Sequence, residues 1–149
     1  MKKILNEWRR FLAEDKIKYT GILKIKPSPI IISELEALQA LLPEEAIRLP
    51  EGDLHVTVIH QSILKPFREK LKDLELPMPP PIILDDEVWE RISLDRKSWA
   101  VRLVNQDEMK EYVEEIMELL GSSNLDPEPE RVFHVSLANL TGNPKDSVR

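Results

Sequence analysis

An α+β fold in two lobes is what the sequence predicts, and three observations predict it. Stretches that alternate apolar and polar residues with the period of a strand are interleaved with stretches whose apolar residues recur at helical spacing. The order strand, helix, strand occurs twice, before and after the stiff segment Pro77-Met78-Pro79-Pro80-Pro81. The chain has 149 residues, 42% hydrophobic and 32% charged, which suits one soluble globular domain with a core of its own. The expected organisation is a single domain over 1–149, with an N-terminal helix at 2–15 and lobes spanning roughly 17–76 and 82–140.

Residues 2–15 carry Ile4, Leu5, Trp8, Phe11 and Leu12 at helical spacing, with charged residues between them. Residues 18–26 alternate as one strand, Tyr19, Gly21, Leu23 and Ile25 against Thr20, Ile22 and Lys24, and Pro27 and Pro29 end it. Ser33 with Glu36 forms a capping-box pattern, so a helix is expected from there to about Leu42, stopped by Pro43. A short strand at 46–49 and the turn Pro50-Glu51-Gly52-Asp53 lead to a strand over 54–61. A helix from Lys65 to Leu74 tolerates Pro66 in its first turn and buries Phe67, Leu71 and Leu74. Residues 82–93 and 98–104 read as a hairpin around Asp95-Arg96-Lys97-Ser98, with Trp89, Arg91 and Ser93 on one face of the first strand and Ala100, Arg102 and Val104 on one face of the second. A strongly amphipathic helix over 107–120 ends at Gly121, and a last strand covers 131–140.

Two of these strands hold the chemistry. His55-Val56-Thr57-Val58 and His134-Val135-Ser136-Leu137 share one pattern, histidine, apolar, hydroxyl, apolar, 79 residues apart. On a strand, His55 and Thr57 share a face, as do His134 and Ser136, while the apolar residues pack the other. With 3 histidines in the chain and 12 Ser or Thr among 149 residues, a given histidine matches by chance roughly once in seventy, and two of three match in under about one case in a thousand. His60 lies five residues from His55, so strand parity sets it on the opposite face as a structural or surface residue.

This repeated pattern resembles the signature of the two-histidine (2H) phosphoesterase superfamily, which includes 2′-5′ RNA ligase-like and cyclic nucleotide phosphodiesterase proteins. The resemblance covers the two motifs and the rough order of elements between them. It implies a bilobed fold, two antiparallel-rich sheets with flanking helices and a central cleft, and a metal-independent phosphodiesterase with His55, Thr57, His134 and Ser136 in that cleft. It also implies a range of substrates: 2′,3′-cyclic phosphates, 2′-5′ linkages, and cyclic or short oligonucleotides. The stretch from Asn6 to Leu12 resembles N-termini of tailed-phage proteins, and phage members of the superfamily degrade nucleotide second messengers of antiviral defence.

Imidazole, with an ordinary pKa of roughly 6.5, suits proton transfer near neutral pH. Two imidazoles on opposite sides of a bond act as a base and acid pair, and Thr57 and Ser136 offer hydrogen bonds to the non-bridging oxygens. Lys24, on the strand expected beside the first motif, is a candidate phosphate contact, and Trp99 and Tyr19, with Trp89, are candidates to stack on a base. Other chemistries fit less well. No cofactor or metal is called for: His55 and His60 do not share a face, and neither motif has an acidic neighbour at ligand spacing. Ser136 lacks a glycine-rich elbow, and 4 glycines leave little room for a phosphate loop. The absence of cysteine excludes disulfides and thiol catalysis. A net charge of −6 with no basic block argues against gripping a long duplex and for a nucleotide or short oligonucleotide partner. No run of 18 apolar residues offers a membrane span, and no secretory signal is evident, so the expected location is cytoplasmic, in a host cell if the protein is viral. The remaining functional alternatives are RNA-end processing by a 2′,3′-cyclic phosphodiesterase or ligase-like enzyme, and a non-catalytic nucleotide binder.

Overall fold

The computed structural model describes residues 15–148. The helix expected over 2–15 lies, apart from Asp15, outside the described residues. The strands are β1 (Lys16–Tyr19), β2 (Leu23–Lys26), β3 (Ile47–Arg48), β4 (Val56–Ile59), β5 (Leu84–Ser93), β6 (Arg96–Leu103) and β7 (His134–Asn139). The helices are α1 (Pro29–Gln39), α2 (Gln61–Leu64), α3 (Arg68–Asp73) and α4 (Gln106–Leu119). Among the described residues no helix is long and apolar enough to cross a membrane.

The α+β class holds, but the strands form one seven-stranded antiparallel sheet, not two sheets. Its order is β1-β2-β4-β7-β6-β5, with β3 also on β7. Two sheets become one because β7 is paired along both edges. On one side it pairs with β6. On the other, β3 and β4 lie end to end, Arg48 opposite Ala138 and Val56 opposite Val135. Apolar residues on one side of the sheet, among them Leu23, Ile25, Val56, Val101, Leu103, Val135 and Leu137, join Ile32 and Leu35 of α1 and Met109, Ile116 and Met117 of α4 in a single core. Alternation then turns the intervening residues of β2, β4 and β7 to the opposite face.

The join between β4 and β7 is unusual. Its ladder consists of the Val56–Val135 pair, and side chains supply donors where the ladder stops. Arg131 reaches β4 with Nη1 donating to Val58 O and Nη2 donating to Thr57 O. The Gln39 amide donates to Leu49 O at 2.9 Å and, beside the Leu49 N–H, to Leu137 O at 2.9 Å. Buried carbonyls left by a splayed ladder need such partners, since an unpaired one costs about 1–3 kcal/mol.

Several element boundaries differ from expectation. The strand expected over 18–26 is a hairpin, because Gly21 adopts φ 94 and reverses the chain between β1 and β2. The first helix begins at Pro29, which fills its first turn after Ser28 instead of only ending the preceding strand. Ser33 lies inside that helix and bonds back to Pro29 O at 3.1 Å, so it caps nothing. The helix ends at Gln39, short of the Leu42 expected, and Leu41 beyond it is 79% exposed. The helix expected over 65–74 is a 3₁₀ turn around Pro66 followed by α3, and the short helix α2 precedes it over 61–64, where a strand end was expected. The proline-rich segment 77–81 has no secondary structure but is pinned: Tyr112 donates to Pro77 O at 2.7 Å and Asn105 to Pro81 O at 2.8 Å.

Candidate functional site

Val56 and Val135 are both fully buried, and their pairing sets the register of the two motifs. Carried one residue to either side, the antiparallel register sets His55 against Ser136 and Thr57 against His134, on the face away from the core. The two His-x-hydroxyl segments thus meet at the centre of the sheet, and all four side chains are half-buried.

Both imidazoles are held in the same way. His55 Nδ1 lies 2.8 Å from Asp53 O, and His134 Nδ1 lies 2.9 Å from Val132 O, in each case the carbonyl two residues back. A carbonyl only accepts, so each Nδ1 carries the proton and each Nε2 presents its lone pair. This geometry orients the rings and fixes one tautomer before any ligand arrives.

Strand neighbours surround the pair with cations. On β6, Arg102 stands opposite His134 and Ala100 opposite Ser136. On β5, Trp89 stands opposite Ala100, and Arg91 follows two residues later on the same face. Arg91 Nη1 donates to His134 Nε2 at 3.2 Å and to Val148 O at 3.0 Å. Trp89 meets His134 edge-on, with ring centroids 5.8 Å apart and planes at 89°. The guanidiniums of Arg91 and Arg102 lie 4.6 Å and 4.4 Å from the Trp89 ring centre. On the other side, Lys24 of β2 stands opposite Thr57.

Burial lowers the pKa of both imidazoles. For His134 it is pushed down to about 4, by burial first, against the Val132 hydrogen bond and with help from the charges of Arg91 and Arg131. His55 is lowered chiefly by burial, partly offset by Asp53, with Lys24 and Lys26 acting in the same direction as burial. Both rings are neutral near pH 7, which matches the acceptor role of His134 Nε2 toward Arg91. A neutral imidazole accepts a proton at Nε2, directly at His55 and at His134 once Arg91 gives up that nitrogen, and the flanking guanidiniums are suited to hold an oxyanion.

No family model, curated protein or solved structure matches the chain. The site therefore stands on its geometry.

Two of the residues expected to bind substrate are elsewhere. Tyr19 stands opposite Leu23, on the core face, and packs against the core. Trp99 is 2% exposed, so its ring has no free face for a base. Both fail for one reason: an aromatic ring buries a large apolar area more readily than it waits in solvent. Lys24 does share the face of the histidines. The residues that sequence reasoning passed over are Arg91 and Arg102. Their signal was the strand alternation that groups Arg91 with Trp89 and Arg102 with Ala100; what was missing was the hairpin register that brings both beside β7. Arg131, whose parity directs it away from the histidines, holds the β4 backbone instead. His60 is an exposed residue, as expected, with Nδ1 2.9 Å from the Glu128 carboxylate. A recess lined by His60, Glu128, Pro129, Glu130 and Arg131 contains none of the four motif residues. Among the described residues, no three His, Asp or Glu side chains gather as a metal-binding group.

Proposed function

We propose that this protein is a phosphodiesterase of the two-histidine type, cleaving a phosphodiester or cyclic phosphate in a nucleotide, cyclic oligonucleotide or short RNA. The observation that carries the reading is the matched pair of imidazoles. His55 and His134 flank one seam on one face, each with Nδ1–H tied to the carbonyl two residues back, which leaves Nε2 as the accepting nitrogen. In the reaction, one Nε2 takes the proton of an attacking hydroxyl or water as its oxygen bonds to phosphorus. The other imidazole, protonated, gives its proton to the leaving oxygen as the old P–O bond breaks. Thr57 and Ser136 donate to the non-bridging oxygens, and Arg91 leaves His134 to pair with the phosphoryl charge. The incoming negative charge also raises the pKa of the imidazole that must act as the acid. The scheme uses no metal.

On this reading the two halves of the sheet, on either side of the Val56–Val135 join, correspond to the lobes of the bilobed 2H phosphoesterase fold, and the face above the join is the cleft. The cytoplasm, where nucleotide messengers and RNA ends are found, is the compartment that suits the reaction, and destruction of such messengers in antiviral defence is the role the superfamily resemblance suggests.

One observation favours a second reading. Arg91 already occupies His134 Nε2 at 3.2 Å, and an imidazole with its pKa pushed down to about 4 is almost never protonated at neutral pH, so it seldom has a proton to give. A protein that only captures a nucleotide, with the two histidines as hydrogen-bond partners, would keep this arrangement. The decisive experiment incubates the protein in EDTA with 2′,3′-cyclic nucleotides, 2′-5′ and 3′-5′ oligonucleotides and cyclic dinucleotides, beside His55→Ala and His134→Ala. Turnover that survives EDTA and falls by about 10²–10⁴ in each variant is the expected result. Dependence on added metal sinks the mechanism, and tight binding without turnover selects the second reading.

A further inference from the structure

The face that carries the histidines continues past Lys24 into a cluster of like charges. On β1 and β2, Lys18 stands opposite Lys24 and Lys16 opposite Lys26, while Ile17 and Tyr19 stand opposite Ile25 and Leu23 on the core side. Lys24 in turn stands opposite Thr57. The outward positions of the hairpin are therefore four lysines in two directly opposed pairs, in a chain whose net charge is −6. Opposed like charges on a sheet are destabilising. The ion pairs among the described residues leave all four lysines unmatched to a carboxylate, and Lys26 gives one of its three ammonium hydrogens to Gly52 O at 3.3 Å. Protection of an exposed sheet edge would account for lysines on β1, the end strand. It does not account for Lys24 and Lys26, which lie on an interior strand. The charges also reach the site, since Lys24 and Lys26 both act on His55.

We propose that the β1–β2 hairpin is a second anion subsite, in which Lys16, Lys18 and Lys26 hold a further phosphate of the same substrate whose reacting phosphate lies between His55 and His134. The assignment of the reacting phosphate rests on the reading given above; the subsite itself rests on the lysine pairs. Strands lie about 4.8 Å apart, so β2 and β1 stand one and two such steps from β4. A ligand with one phosphate at the histidines and another over the lysines lies across the strands. It is a short single-stranded oligonucleotide with at least two phosphates, and not a mononucleotide.

The test uses the full chain with Lys16→Gln/Lys18→Gln, two exposed positions on the end strand. Binding of a single-stranded RNA pentanucleotide and of a 2′,3′-cyclic mononucleotide is measured over a range of salt concentrations, with His55→Ala as the background so that binding is read without turnover. Hydrolysis of both is measured with His55 intact. The expected result is a pentanucleotide affinity weakened about tenfold by the double variant. Its salt slope should fall by about 1.4, two contacts at about 0.7 each. Mononucleotide binding and hydrolysis should change less than about twofold. An unchanged slope and affinity for the pentanucleotide, or a wild type that binds it no tighter than the mononucleotide, overturns the subsite. Failure of the catalytic reading looks different: no hydrolysis of either compound, with the lysine-dependent slope intact.

Discussion

Burial does more than any neighbouring charge to keep His134 neutral, and that ordering has measurable consequences. Its proton should be seen by NMR to leave near pH 4, well below the ordinary imidazole value of about 6.5. Arg91→Gln should raise that value only partway, because the guanidinium is the lesser cause; a full return to 6.5 would make charge the main one. The same shift links to stability. Above pH 6.5 the ring is neutral in the folded and the unfolded chain. As the pH falls toward 4 the unfolded chain takes up a proton that the folded one refuses, so stability declines across this window, by roughly 3 kcal/mol if the whole shift is realised. Denaturant melts at pH 7 and pH 4.5 should show this loss, and His134→Gln should reduce it. At this scale the sequence was most legible. Two histidines in one rare pattern were enough to bring His55, Thr57, His134 and Ser136 to one face, because strand parity is local. Arg91 and Arg102 were hidden because their role depends on which strand lies next to which.

Elements followed their local signals where one signal dominated and departed where two competed. The amphipathic run at 106–119 and its glycine stop at Gly121, with φ 76, came out within a residue of expectation. The 29–39 helix did not, since Ser33 and Pro29 both offer a start and proline at the first turn prevailed. The β5–β6 hairpin is closed by Leu94-Asp95 between paired Ser93 and Arg96, and Leu94 sits at φ 53 with 99% exposure. A leucine in the left-handed region costs about 1–2 kcal/mol, and here no packing offsets it. Leu94→Asn should therefore raise stability by about 0.5–1 kcal/mol, seen as a melting temperature a few degrees higher. No gain would mean that the turn relaxes freely. Arg131 predicts the opposite sign. Arg131→Met leaves Thr57 O and Val58 O without their guanidinium donors and should cost roughly 2–3 kcal/mol, with faster hydrogen exchange along β4 and β7. Unchanged exchange at the join would show that water replaces the guanidinium.

For the molecule as a whole, the sequence's two strand-helix-strand units were visible, but their merger into one sheet was not. Nothing in residues 54–61 or 131–140 announces a pairing 79 residues apart; it depends on Val56 and Val135 finding each other in a shared core. One consequence of that join concerns assembly from pieces. The core runs through both halves, so neither half alone encloses it, and each half carries a single imidazole of the pair. A chain cut between Pro79 and Pro80 would make the histidine pair a coincidence detector. Fragments 1–79 and 80–149 should each be silent, and on the proposed mechanism hydrolysis should return only when they meet across Val56 and Val135, giving a split reporter whose signal measures the encounter itself.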